Sequence, residues 1–318
     1  MPTSSPRTWA ARTFAAVAVL VALVIPGAGR SMGSPIVVAS KIDTEGALLG
    51  QMIAAVAEAQ GIAVERRIQL GPTNILRAAI LAGQIDIYPE YTGNGALFFH
   101  READPAWKDA ARGYALVAAL DRTNNQLVWL APAPANNTWV IAIRKDLPGF
   151  PAMPCVGDLA SYLRQGKRLR LAASAEFVES PSALPAFEAA YGFHLRGDQL
   201  LTLSGGNTAA TLRAAAERIS GVNAAMAYGT DGAIAALGLA ALCDDKQAQV
   251  VYAPAPVVRA AALDAHPELG PALDRVFGSL SRETLQALNA RIAVGGEDAR
   301  SVAEDYLKAE AKSAWPAR

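Results

Sequence analysis

The chain is 318 residues long, 52% hydrophobic and 18% charged, and its 29 basic side chains balance its 29 acidic ones. That balance leaves no electrostatic footprint for nucleic acid or anionic lipid. The hydrophobic content, with 26 glycines and 19 prolines, excludes a disordered chain and suits a helix-rich α/β protein with tight turns. Arg7 and Arg12 precede the apolar run Thr13 to Ile25, which gives way to Pro26, Gly27, Ala28 and Gly29, the pattern of a secretory signal peptide over residues 1–33. A spanning helix needs about 20 apolar residues, more than this run supplies. No cysteine near the cleavage zone could take a lipid. The expectation is a periplasmic protein that is not lipid-anchored. Losing Arg7, Arg12 and Arg30 leaves a charge of about −3. The remaining length, about 285 residues, exceeds what one core serves and predicts two lobes.

Short β-rich runs then alternate with helical ones. Ile36 to Ala39 precedes a helix from Glu45 to Gln60 with Leu49, Met52, Ile53 and Val56 at helical spacing, followed by Val64 to Leu70, a helix near Asn74 to Ala82, and Ile85 to Tyr88. Val128 to Leu130 and Trp139 to Ile143 complete a first lobe over 34–143. The Pro-rich stretch Leu147 to Pro154 reads as entry to a second lobe over 144–250, with strands at Leu169 to Ala173, Leu200 to Leu203 and Ala224 to Ala227, and helices near Ala183 to Tyr191 and Thr208 to Ile219. Val250 to Pro256 is the second crossing. The mostly helical segment Pro267 to Leu307 returns to the first lobe, giving residues 251–318 to it. Two crossings make a hinge.

The two cysteines, Cys155 and Cys243, form an even count in an oxidising compartment, which favours a disulfide over two buried free thiols. His100, His194 and His266 have no ligand spacing, so no metal is expected.

In open α/β sheets ligands bind beyond the carboxyl ends of the strands. The segments there are Ser40-Lys41, Glu90-Tyr91-Thr92-Gly93, Ala173-Ser174-Ala175-Glu176-Phe177 and Tyr228-Gly229-Thr230-Asp231. Aromatics, hydroxyls and single charges thus meet in one cleft. Aromatic faces attract cations by about 0.5–2 kcal/mol each, whereas a carboxylate tail wants Lys, hydroxyl and backbone N–H donors. Tyr91, Tyr228, Trp139 and Phe177 offer faces; Lys41, Ser40, Thr92 and Thr230 offer donors.

The segments Ala39 to Gly46, Asp86 to Gly93, Asn136-Asn137-Thr138-Trp139, Ala227 to Gly232 and Tyr252 to Val258 resemble the osmoprotectant-binding proteins of ABC importers, and the resemblance covers the chain beyond the leader. It implies a type II periplasmic-binding-protein fold of two α/β lobes. It also implies glycine betaine or another quaternary-ammonium solute as ligand, and a membrane permease with its ATPase as partners. No cofactor is expected, and the state is expected to be a monomer. Tyr91 and Tyr228 fall where related binders place cage tyrosines, and Thr92, Lys41 and Asp231 lie in the surrounding motifs. Trp139 stands where many relatives have Tyr. The cage is expected to take Tyr91 and Trp139 from the first lobe and Tyr228 from the second.

Other readings compete. Tyr88 reads as a packed tyrosine, Lys41 as a partner of Asp43 or Glu45 at the helix start, Glu90 as a buried anchor for its loop, and Asp231 as a helix cap. Phe177 lies in a segment that also contributes to the cleft, and Glu176 reads, like Asp231, as a counter-charge behind the cage or a helix cap. A carboxylate-dependent hydrolase using Glu90 with Asp231 lacks a nucleophile elbow, a paired His and a phosphate loop. A receptor for another amine or an amino acid is the remaining alternative, disfavoured by cleft segments without Arg.

Overall fold

The computed structural model describes residues 35–203 and 208–313, so the expected leader lies outside the described residues. Among these, no helix is long and apolar enough to cross a membrane. The strands are β1 (Ile36–Lys41), β2 (Val64–Gly71), β3 (Ile87–Tyr91), β4 (Leu127–Trp129), β5 (Trp139–Arg144), β6 (Leu171–Ser174), β7 (Leu200–Leu203), β8 (Ala224–Tyr228), β9 (Leu239–Ala241) and β10 (Pro254–Arg259). They form two sheets of identical pattern. The first runs β2-β1-β3-β10-β4 and the second β7-β6-β8-β5-β9. In each, three parallel strands are followed by one that runs antiparallel to them, and a fifth pairs antiparallel with that one. Strands such as β1, IVVASK, are apolar on both faces because helices cover both sides of the sheet.

The helix Thr44–Ala59 starts at Asp43, whose carboxylate accepts the Gly46 N–H at 2.7 Å. Its Leu48, Leu49, Met52 and Ile53 are buried against β1 and β3, each contributing about 1.5–3 kcal/mol. The C-terminal helices Leu269–Gly278, Arg282–Ala293 and Ala299–Ser313 join the same core through Leu273, Phe277, Leu285 and Val302. The second lobe has its own core around Ile141, Phe177, Phe187 and Met226. It is closed by a disulfide between Cys155 and Cys243, so the free-thiol alternative falls.

One boundary differs from the sequence reading. Trp139–Arg144 was expected to end the first lobe, but β5 pairs with β8 and β9 in the second sheet. The crossing is the extended link 136–138, which lies beside the second crossing at 250–252. Asn137 N donates to Tyr252 O at 2.9 Å, Tyr252 N to Asn136 Oδ1 at 2.8 Å, and Thr138 Oγ1 to Val250 O at 2.7 Å. The Pro-rich stretch is a loop inside the second lobe, not a linker.

Candidate functional site

A cleft of about 690 Å³ opens between the carboxyl ends of the two sheets. Its aromatic wall comes from both lobes. Tyr91 ends β3; Trp139 begins β5 and Tyr228 ends β8, where they are cross-strand neighbours with rings stacked at 4.4 Å and 25°. Tyr252, from the second crossing, adds a fourth ring. Gly93 makes room for it: a Cβ there would lie 2.8 Å from the Tyr252 ring and 2.7 Å from Val250.

Trp139 is thus a second-lobe residue, contrary to the expected cage. The register of β5 against β8 sets it beside Tyr228 rather than across the cleft, and the two rings form one continuous π wall. Phe177 does not reach the cleft. It is fully buried in the second core and meets the Trp139 ring edge-on at 5.5 Å, bracing it from behind. Ser40 and Thr92 are also withdrawn. Ser40 sits where the β1–β2 register shifts, and its hydroxyl accepts the Gln69 N–H that the irregularity leaves over, at 2.9 Å. Thr92 donates to Val251 O and accepts from Ala253 N, both at 3.1 Å, so it stitches β3 to the second crossing. Thr230 and Asp231 line the cleft, and Asp231 also accepts the Tyr228 N–H at 2.8 Å. Glu176 lines it too, from the exposed start of the helix Ala175–Glu179.

Lys41 lines the cleft, but its ammonium is ion-paired with the fully buried Glu90 and lies 4.5 Å from the centroid of the Tyr91 ring. Glu90 also receives the Tyr91 N–H at 2.7 Å, Asn94 Nδ2 at 2.7 Å and the Tyr88 hydroxyl at 3.2 Å. It is the buried anchor of its loop, and Tyr88 is packed behind it.

One buried carboxylate is a residue the sequence reading passed over as a first-turn acid. Glu45 accepts from Tyr91 Oη at 2.8 Å, Asn137 Nδ2 at 3.1 Å and Asn289 Nδ2 at 2.7 Å, and it bonds the Thr230 side chain. One carboxylate thereby ties the first lobe, a crossing, the C-terminal helix and the second lobe. Burial pushes its pKa up to about 6 despite those bonds. Burial likewise raises Asp231 and lifts the phenols of Tyr91, Tyr228 and Tyr252, with nearby carboxylates adding to the tyrosine shifts, so the phenols keep their protons. Asn289 Nδ2 also reaches Thr230 O at 3.0 Å. Beside it Gly232 touches the helix backbone so closely that a Cβ would lie 2.1 Å from Ala290 N.

Electrostatically the lining is acidic. Asp43, Glu45, Glu176 and Asp231 face one lysine already neutralised by Glu90, and no arginine stands among the described lining residues. Rings and carboxylates together suit a cation.

Two similar α/β lobes, a paired hinge and an aromatic inter-lobe cleft define a substrate-binding protein of the type II periplasmic fold. Residues 34–309 match the family described as the substrate binding domain of ABC-type glycine betaine transport system, and the chain belongs to that family, one of transport proteins and not of enzymes. It is 57% identical over 275 residues to the glycine betaine-binding protein YehZ of Escherichia coli (strain K12), covering 86% of this chain and 90% of that one. It is 31% identical over 287 residues to a glycine-betaine-binding protein of Pseudomonas aeruginosa, covering 88% and 89% respectively. The solved structure of apo YehZ from Escherichia coli superposes with a TM-score of 0.81 at 56% identity, over 87% of this chain and 99% of the other.

Proposed function

We propose that this chain is the periplasmic, monomeric solute receptor of an ABC importer, that it takes glycine betaine or a related quaternary ammonium compound into the inter-lobe cleft, and that it delivers the compound to a permease driven by an ATPase. The observation that carries this reading is the pairing of the Trp139–Tyr228 wall with four carboxylates and a neutralised lysine. The names of its relatives, both glycine betaine binders, point the same way. A quaternary ammonium has no proton to donate, so π-faces, carboxylates and close apolar contact are what can hold it. Its carboxylate tail, where it has one, would rest on hydroxyl and backbone N–H donors, since the lysine is spent.

The test is calorimetric titration of the ligand-stripped protein with glycine betaine, choline, proline betaine and an amino-acid panel. Saturable heat with a quaternary amine and none with the amino acids is expected. Saturation by an amino acid alone would overturn the reading in favour of an amino-acid receptor.

A further inference from the structure

At the N-terminal ends of β6, β7 and β8, on the far side of the second sheet from the cleft, lies a cavity of about 620 Å³. Lys167, Arg168, Arg170 and Arg196 stand on its wall with His194. The carboxylate of that wall is Asp198, which Arg196 holds at 3.1 Å. Elsewhere most arginines are matched: Arg66 with Glu58, Arg77 with Asp121, Arg144 with Asp146, Arg259 with Asp86 and Arg291 with Glu297. Lys167, Arg168 and Arg170 have no carboxylate in ion-pair reach among the described residues.

The backbone carrying Arg168 and Arg170 is held in place from below. The Asn223 side chain accepts the Arg170 N–H at 2.9 Å and donates to Arg168 O at 3.0 Å, clamping the backbone between them. Arg170 Nη1 donates to Ser220 O at 2.5 Å, while its buried Nε has no partner among the described residues. Ser220 keeps φ at 52°, a left-handed conformation that non-glycine residues adopt at a cost and that recurs at functional sites.

We propose that this cavity is a second binding site, distinct from the cleft, for a compact polyanion bearing phosphate groups. Guanidinium forks match phosphate oxygens, and lysine adds a mobile point charge. Lys167 lies over the Tyr162 ring and Arg170 shares Asp198 with Arg196, so four cations are gathered on one wall against a single carboxylate, an arrangement whose mutual repulsion a bound anion relieves. The volume falls in the range of small-molecule pockets, about 300–1,000 Å³, and exceeds what one orthophosphate fills. Two sources supply this chemistry: a free phosphorylated anion or a phospholipid headgroup.

The experiment titrates the intact protein with pyrophosphate at constant ionic strength set by chloride, and in parallel sediments it with phosphatidylglycerol or phosphatidylcholine vesicles. Each arm is run on the wild type, on Lys167→Ala/Arg168→Ala and on Tyr228→Ala. Saturable pyrophosphate binding, weakened about tenfold or more by the double variant and untouched by Tyr228→Ala, supports the site with a free anion as occupant. Sedimentation with the anionic vesicles alone, lost in the double variant, supports it with a headgroup as occupant. Both replaced side chains are exposed, and an unchanged circular dichroism spectrum checks that the variant is folded. Neither kind of binding, or binding the double variant leaves unchanged, overturns the proposal. The cleft reading stands or falls separately on its own titration.

Discussion

Trp139 and Tyr228 face each other across adjacent antiparallel strands, with ring centroids 4.4 Å apart, so the aromatic wall of the second lobe is a property of strand register. At that spacing no ammonium fits between them. Their outer faces, opposite Tyr91, are what a bound cation would meet on closure.

Replacing a ring therefore removes one contact at a time. Tyr91→Ala and Tyr228→Ala are each expected to weaken quaternary-ammonium binding by roughly 2- to 30-fold, the range set by a single cation–π contact. Tyr228→Phe, which keeps the face, is expected to bind nearly as the wild type does. Trp139→Ala also leaves Tyr228 unsupported and should cost more than either. Calorimetry reads all four, and unchanged affinity in both Tyr91→Ala and Tyr228→Ala would discard the aromatic account.

Glu45 should make stability depend on pH in a specific direction. Its folded-state pKa, about 6, lies above the ordinary 4.5. Its contribution is full below 4.5 and is lost as pH rises through 6, a change of about 2 kcal/mol. Rotating the Asn137 or Asn289 amide would offer a protonated Glu45 an acceptor, because both Oδ1 atoms are buried without a partner. Urea unfolding of wild type and Glu45→Gln at pH 4.5 and pH 7 isolates the effect, since the other groups cancel in the difference. The wild type should gain on the variant at the lower pH; a difference that stays constant would refute the assignment.

How far the site was legible depends on the range of the interaction. Residues at strand ends, such as Tyr91, Tyr228 and Asp231, could be placed in the cleft because βα alternation fixes where such ends lie. Ser40 and Thr92 occupy equivalent positions, yet their hydroxyls answer backbone groups at a register shift and at the hinge, and no local pattern announces either. Trp139 was assigned to the wrong lobe because proline-bearing stretches flank it on both sides, at 132–134 and 148–154, and no local pattern tells which of them adjoins the true crossing. Glu45 looked like an ordinary first-turn acid. Its burial depends on Asn289, 244 residues away, a distance over which one sequence carries no signal.

The disulfide links positions 88 residues apart within the second lobe. Cys155→Ala/Cys243→Ala is expected to cost about 2–5 kcal/mol of stability, most of it through the freed unfolded chain. Thermal unfolding with and without reductant gives the same comparison. Ligand affinity should be preserved at temperatures where the variant is folded, because neither cysteine lines the cleft.

Asp121 is a buried hub in the first lobe. It accepts Arg77 Nη1 and Nη2 at 2.9 and 2.6 Å, Trp129 Nε1 at 2.7 Å and Asn125 Nδ2 at 2.7 Å. Asp121→Ala strands a guanidinium and an indole N–H in the core and is expected to destabilise by about 3–5 kcal/mol. Denaturant titration checks this, and a loss below 1 kcal/mol would mean water reaches the site.

The two crossings are bonded to each other at Asn136, Asn137 and Thr138. Two short links held together in this way would act as one joint rather than two, so any closure of the cleft would carry the Trp139 and Tyr228 rings toward Tyr91 as a unit.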